Sequence, residues 1–242
     1  MKKLIITSII LTMSFSVNAQ SWWNSKRVSG NGDVTTITRN TSDYDAVNLG
    51  GSFDVVLVKG KEGKITIEGE SNLLEYITTE VKKGVLKINT KKGVNIRTTR
   101  KMIVTVPYTD IEKVSLGGSG DLTSTGTIKA ETFAMSLAGS GNVDLEVDAK
   151  TVRSIIAGSG NIKLSGNATE LTCSITGSGN INAYDLKADA TSATITGSGN
   201  VKTTVSNSIK AKVIGSGSIY YKGKPEHIDS KSIGSGSIVI RN

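Results

Sequence analysis

From Val114 onward the chain repeats one short pattern of apolar and polar positions. A Gly-Ser-Gly phrase starts at Gly118, Gly139, Gly158, Gly177, Gly197, Gly215 and Gly234, at intervals of 21, 19, 19, 20, 18 and 19 residues. Two residues before the first six phrases stand Leu116, Leu137, Ile156, Ile175, Ile195 and Val213, and four before stand Val114, Met135, Ser154, Cys173, Ala193 and Ala211. Four residues after the first glycine come Leu122, Val143, Ile162, Ile181, Val201, Ile219 and Ile238, followed two further on by Leu145, Leu164, Ala183 and Tyr221. Period-two alternation on both sides of a glycine corner predicts strand, turn, strand in every unit. A period near 19 that tolerates one-residue slips is the signature of a solenoid. Two glycines per unit argue against a helical repeat, because glycine weakens helices. Coils stacked at roughly 4.8 Å turn the apolar columns into ladders along a thin core. The pattern therefore predicts an all-β chain, a right-handed parallel β-helix or closely related β-solenoid, with its repeats over residues 118–242.

The corner phrase has its own chemistry. Glycine takes positive φ without steric cost, which a sharp turn in every coil requires. The second glycines, Gly120, Gly141, Gly160, Gly179, Gly199, Gly217 and Gly236, share the corner. Next comes a polar residue: Asp121, Asn142, Asn161, Asn180 or Asn200. Asparagine tolerates turn conformations, and stacked amides bond one another as they do in cross-β arrays, so these five predict a polar ladder. A phosphate cradle would need a helix after the glycines, and a strand of Ile or Val follows instead. A calcium β-roll would need a nine-residue period with recurrent Asp, and only Asp121 fits.

The first half of the chain lacks this period. Residues 20–42 read as a polar leader. Residues 43–117 read as a strand-rich segment continuous with the solenoid and capping it, since an open coil end is an adhesive edge. Phe53 to Val58 and Lys64 to Glu68 flank the Lys-Gly-Lys-Glu-Gly sequence as a hairpin-like pair. Val85 to Thr90 and Met102 to Val106 are further strands. Ser71 to Ile77 is the one short helical candidate, with Ser71 or Asn72 as its cap. Gly51-Ser52-Phe53 is an imperfect echo of the corner.

Composition narrows the setting. Lys2 and Lys3, the apolar run Leu4 to Leu11 and the small residues Val17-Asn18-Ala19 read as a secretory signal peptide over residues 1–19, cleaved after Ala19. That run is too short for a spanning helix. The expected location is periplasm, cell surface or medium, with no transmembrane span. Trp22 and Trp23 follow the cleavage point; a membrane-interface role competes there with local packing or no role, and the latter is favoured. The single cysteine, Cys173, forbids an internal disulfide. Twenty-seven glycines against 5% aromatic residues fit a narrow all-β core, and their fixed spacing argues against disorder.

The net charge of +8 falls to +6 without Lys2 and Lys3. Its source is one segment, Val81 to Lys101, with eight basic residues and no acidic one. Lys87, Lys91, Lys92, Arg97, Arg100 and Lys101 form a candidate patch for an anionic polysaccharide or lipid head group; the competing reading is a solvated hairpin face. Nucleic acid is not expected, because the chain is exported and the patch has no interleaved aromatics.

Candidate catalytic groups are sparse. A polysaccharide-cleaving enzyme on a β-helix needs carboxylates converging on one groove. Asp144, Glu146 and Asp148 alternate on an outer strand face, beside Lys163, Ser165, Asn182, Tyr184 and Lys202 in adjacent units, with no second acidic row. His227 is the only histidine, which excludes a multi-histidine zinc site. Cys173 falls in an inward column, so it reads as a core residue and not as a nucleophile paired with His227. No catalytic, cofactor or metal residues are assigned.

The segment from Tyr44 through "VTVPYTDIEKVSLGGSGD", followed by tandem Gly-Ser-Gly-Asn units, resembles a bacterial family described as putative auto-transporter adhesin, head GIN domain, common in Bacteroidetes. The resemblance spans about residues 43–220 and implies a compact exported β-solenoid, with adhesion suggested and no catalytic residues to carry over. The expected function is a non-enzymatic envelope or secreted protein that binds a surface ligand such as carbohydrate, or pairs with its own kind through its C-terminal edge. The alternative is a carbohydrate-active enzyme on the same scaffold.

Overall fold

A computed structural model describes residues 26–241. The signal-peptide segment, Trp22 and Trp23 lie outside the described residues. The strands are, in chain order, β1 (Lys26–Ser29), β2 (Val34–Asn40), β3 (Ala46–Gly51), β4 (Asp54–Lys59) and β5 (Lys64–Glu70). A 3-10 turn (Leu74–Tyr76) leads to β6 (Ile77–Lys82), β7 (Val85–Thr90), β8 (Val94–Arg97), β9 (Ile103–Tyr108), β10 (Lys113–Gly118) and β11 (Asp121–Ser124). The long strands follow: β12 (Ile128–Gly139), β13 (Asn142–Gly158), β14 (Asn161–Gly177), β15 (Asn180–Gly197) and β16 (Asn200–Gly215). The chain ends in β17 (Ser218–Lys222), β18 (His227–Ile233) and β19 (Ser237–Ile240).

The repeats stack in parallel and in register, as a β-solenoid. Leu116 pairs with Leu137, then in turn Ile156, Ile175, Ile195 and Val213, so one column of the sequence pattern becomes one ladder of the core. Leu122, Val143, Ile162, Ile181, Val201, Ile219 and Ile238 form the second ladder. All of them are buried except Ile238, in the last coil, which is half-buried. Each buried aliphatic side chain contributes roughly 1.5–3 kcal/mol relative to exposure, which a chain without disulfides relies on.

Each coil has a second, softer corner opposite the glycines. In β13 the buried positions Val143, Leu145, Val147 and Ala149 are odd-numbered, whereas Val152, Ser154 and Ile156 are even-numbered. The parity slips at Lys150 and Thr151, which keeps apolar side chains inward while the strand turns around the outside of the core. The same slip falls at Thr169-Glu170 in β14 and at Asp189-Ala190 in β15.

The period also extends below Gly118. Gly118 pairs with Gly51, so the echo at Gly51-Ser52-Phe53 is the first corner, and β3 and β4 form a full coil beneath β10 and β11. One layer lower, β7 pairs with β3 and β9 pairs with β4, both parallel. Below that the direction reverses: β6 closes on β7, and β5 then β2 close on β9, all antiparallel.

Three local expectations change. The segment expected to be a polar leader holds β1 and β2; it is polar because both are outer strands with one face to solvent. β4 and β5 are not a hairpin, because β9 lies between them, parallel to β4 and antiparallel to β5. The helical candidate at Ser71 to Ile77 contracts to a single 3-10 turn with Leu73 at its N-cap. Arg39 donates to the carbonyls of Leu74 and Ile77 and so holds this turn against β2.

Candidate functional site

The glycine corners bring backbone closer than any side chain allows. The carbonyl of Gly139 accepts N–H bonds from both Ser159 and Gly160 in the next coil, each at 3.0 Å. The pattern recurs at Gly118, Gly158, Gly177 and Gly197. A Cβ on Gly158 would lie 2.4 Å from the Gly139 oxygen, and that residue has φ of 138°. The second glycines have no positive φ, yet a Cβ on Gly160 would stand 2.4 Å from the Gly141 oxygen and 2.6 Å from Leu137 Cδ2. Close backbone approach thus excludes a side chain at both glycines of one phrase, and positive φ constrains the first in addition.

Just past this corner the structure brings Asp121, Asn142, Asn161, Asn180 and Asn200 into one row. Asn142 Nδ2 donates to Asp121 Oδ1 at 2.9 Å, Asn161 to Asn142 at 3.0 Å, Asn180 to Asn161 at 2.9 Å, and Asn200 to Asn180 at 3.0 Å. A backbone N–H, from Ser218, donates to Asn200 Oδ1 at one end of the ladder; at the other end the backbone N–H of Asp121 donates to the Asp54 carboxylate Oδ1. A primary amide has two N–H donors and two acceptor lone pairs. Each internal ladder amide therefore keeps one N–H and one lone pair for another partner.

Alongside this row runs a groove on the outward face. Its first part, about 370 Å³, passes Thr123, Asp144 and Lys163. A wider part of about 780 Å³ continues past Tyr184, Lys202, Tyr220, Lys222 and Arg241. The two share Asn180 and Asn182, so the concave surface is continuous. Its charge changes along the way. Asp144 is paired with Lys163 at 3.0 Å, whereas the wide part has no carboxylate among the described residues of its lining. There Lys222 Nζ lies 4.6 Å from the centre of the Tyr184 ring, and Lys202 Nζ lies 5.9 Å from it. The Arg241 guanidinium lies 5.0 Å from the Tyr220 ring centre. Partial burial raises the Tyr184 hydroxyl pKa above its usual value, and Arg241 opposes that shift.

The remaining predicted residues are dispersed. Lys91, Lys92, Arg97, Arg100 and Lys101 occupy the excursion between β7 and β9 at the N-terminal end, exposed. Lys87 stands apart on β7, opposite Glu80. Of the acidic run, Asp144 is tied to Lys163 and Glu146 accepts from Thr127 Oγ1 at 2.6 Å. Cys173 is buried in the core, and desolvation pushes its thiol up to about 12. His227 sits on the outermost strand, paired with Ser208. Among the described residues no group of three His, Cys, Asp or Glu is placed to hold a metal. None of their helices is long and apolar enough to cross a membrane.

Sequence reasoning noted Tyr184 and Lys202 only as neighbours of the acidic run, and left Tyr220, Lys222 and Arg241 out. The available signal was the 20-residue interval from Gly177 to Gly197, which marks an inserted residue in the coil that carries Tyr184.

The family described as "Putative auto-transporter adhesin, head GIN domain" matches residues 43–225. This chain belongs to that family. The head GIN domain also matches solved structures over nearly its whole length. A protein titled a putative adhesin from Bacteroides fragilis is 25% identical, with a TM-score of 0.85 over 88% of this chain and 100% of its own. A protein titled a putative lipid binding protein from Parabacteroides distasonis is 29% identical, with a TM-score of 0.75 over 90% of this chain and 100% of its own. A putative adhesin from Parabacteroides merdae, 24% identical with a TM-score of 0.69 over 90% and 100%, shares the fold. No curated protein matches the chain.

Proposed function

We propose that this head GIN domain is an exported, non-enzymatic binding protein of the adhesin type, and that its contact surface is the outward face beside the Asn ladder. One observation carries this reading: the groove there is continuous across the coils and lined by amide, hydroxyl, aromatic and cationic side chains on a rigid stacked scaffold. Ligands held by many shallow contacts suit such a surface, because the scaffold is ordered before binding and little conformational entropy is lost. A surface carbohydrate fits best. The name of the Parabacteroides distasonis relative makes lipid the alternative ligand. Export follows from the signal-peptide pattern at residues 1–19, with cleavage after Ala19, and places the mature chain in periplasm, cell surface or medium.

A glycan array probed with residues 20–242, run beside reducing-end assays on the same glycans, tests the reading. Binding without sugar release is expected. Release of reducing ends that disappears in Asp144→Asn or Glu146→Gln would establish a carbohydrate-active enzyme instead.

Pairing with a second copy along β18 and β19 is part of the same proposal. Ile228, Ile233 and Ile240 are about half exposed there. Sedimentation velocity should show a dimer that Ile228→Lys combined with Ile240→Lys abolishes; a parent that sediments as a monomer at all concentrations removes this part.

A further inference from the structure

The wide end of the groove supports a more specific assignment, which rests on the binding reading above. We propose that Tyr184, Tyr220, Lys202, Lys222 and Arg241 form a subsite for an acidic saccharide, a sugar segment that bears carboxylate or sulfate groups. The first argument is how Tyr184 gets there. Ala183 is in register with Thr203 and Lys187 with Thr204, so Tyr184, Asp185 and Leu186 bulge out of the ladder between β15 and β16. Tyr184 and Asp185 are consecutive outward residues, and Leu186 returns to the core. A bulge re-aims side chains in this way. The Tyr184 carbonyl that the bulge frees accepts from Thr204 Oγ1 at 2.8 Å, which fixes the distortion.

The second argument is charge. Among the described residues, Lys202, Lys222 and Arg241 are in none of the salt bridges, in contrast to Lys163 further along the same groove. Their heads are held over tyrosine rings instead. The ring quadrupole positions a cation without neutralising it, so three positive charges converge on a lining that has, among the described residues, no carboxylate. An anionic ligand completes that set.

The third argument separates sugar from lipid. Beneath the groove Ile181, Val201 and Ile219 are fully buried in a closed core, so no channel opens for an acyl chain. Tyrosine rings present flat apolar surface to the C–H faces of a pyranose and a hydroxyl to its oxygens. Asn180 and Asn200 add the amide valences that the ladder leaves over. From β15 to β19 the site crosses three coil spacings, about 14 Å, which suits a short oligosaccharide better than a single anion.

Calorimetric titration of the mature chain tests the assignment, with oligogalacturonate and a dextran sulfate oligomer as acidic probes and an uncharged oligosaccharide of matched length as control. Both acidic probes should bind and the neutral one should not. Tyr184→Ala should weaken binding about tenfold, the loss of one good aromatic contact. Lys202→Gln with Lys222→Gln should weaken it at least as much and flatten its salt dependence. Neutralising Lys91, Lys92, Arg97 and Arg100 at the other end should leave it unchanged. Thermal melting of each variant separates loss of ligand from loss of fold, and Lys202→Arg, which keeps the charge, should bind like the parent. Acidic binding that survives both groove variants, or that vanishes with the Lys91 set, overturns the assignment. So does a parent that binds neither acidic probe, or one that sediments only with phosphatidylglycerol vesicles. Neutral glycans bound on the array and lost in Tyr184→Ala would overturn the acidic class while leaving the contact face intact. Array binding unmoved by every groove variant would remove the contact face as well.

Discussion

At the scale of single residues, the glycine corner shows how one visible motif has two causes. The first glycine of each phrase was legible, because a sharp corner calls for positive φ, and Gly118 through Gly234 have φ between 113° and 139°. The second glycine has ordinary φ, and its reason lies in a neighbour about 19 residues away that no local rule inspects. Phe53 supports this account. It stands where the second glycine would be in the first corner, because below it the chain departs into the 91–102 excursion and no stacked corner crowds it. Gly160→Ala should therefore destabilise the protein by about 1–3 kcal/mol, the cost of overpacking against backbone that cannot yield. Ser159→Ala, at the exposed tip of the same corner, should stay within about 0.5 kcal/mol of the parent. Urea denaturation compares them, and equal losses would mean that the corner is held by its serine and not by close backbone stacking.

At the scale of elements, the coils were legible, whereas the antiparallel construction of the cap was not. Columns of Ile, Val and Leu repeat, and repetition reveals register. The antiparallel cap is made once, from contacts far apart in sequence. Glu70 illustrates it. Its carboxylate is 1% exposed at the end of β5 and accepts from Gly32 N–H at 2.8 Å, Thr99 N–H at 2.8 Å, Thr99 Oγ1 at 2.6 Å and Arg100 N–H at 3.3 Å. It thereby joins the β1–β2 loop and the β8–β9 loop to the solenoid. The Thr99 hydroxyl bond, with the backbone donors, overcomes desolvation and holds its pKa at about 2, against an ordinary 4.5. The sign follows from linkage. A carboxylate with a depressed folded-state pKa stabilises the fold fully above its unfolded value, and the contribution is lost as pH falls toward the folded value. Glu70→Gln should lower the melting temperature at pH 7, and the gap to the parent should close between about pH 4.5 and pH 2. A gap that is the same at pH 7 and pH 2.5 would show that the carboxylate charge does not hold the cap.

At the scale of the whole molecule, the solenoid is close to one-dimensional, and its two ends are built differently. Each coil touches mainly the coils above and below, so local stability depends on how many neighbours a coil has. The N-terminal end is covered by the reversed strands β5, β2 and β6 and by the Glu70 clamp. At the other end β18 is exposed along its length. Its inward column changes character there: Ala211 and Val213 are followed by Ser230 and Ser232, a polar dilution of the core that a search for capping strands does not recognise. Serine tolerates water on its open side, but it adds little burial to hold the last coil down. In the unpaired monomer, which Ile228→Lys with Ile240→Lys should supply, amide exchange should therefore be graded along the axis. Amides of β18 and β19 should exchange first through local opening, β16 and β17 next, and the interior strands β12 to β14 only with global unfolding. Strands β3, β7 and β9 should match that interior protection, because the cap closes their end. Uniform protection from β3 to β19 in that monomer would contradict this one-dimensional account, whereas stronger protection of β18 and β19 in the parent than in the monomer would report the pairing of two copies proposed above.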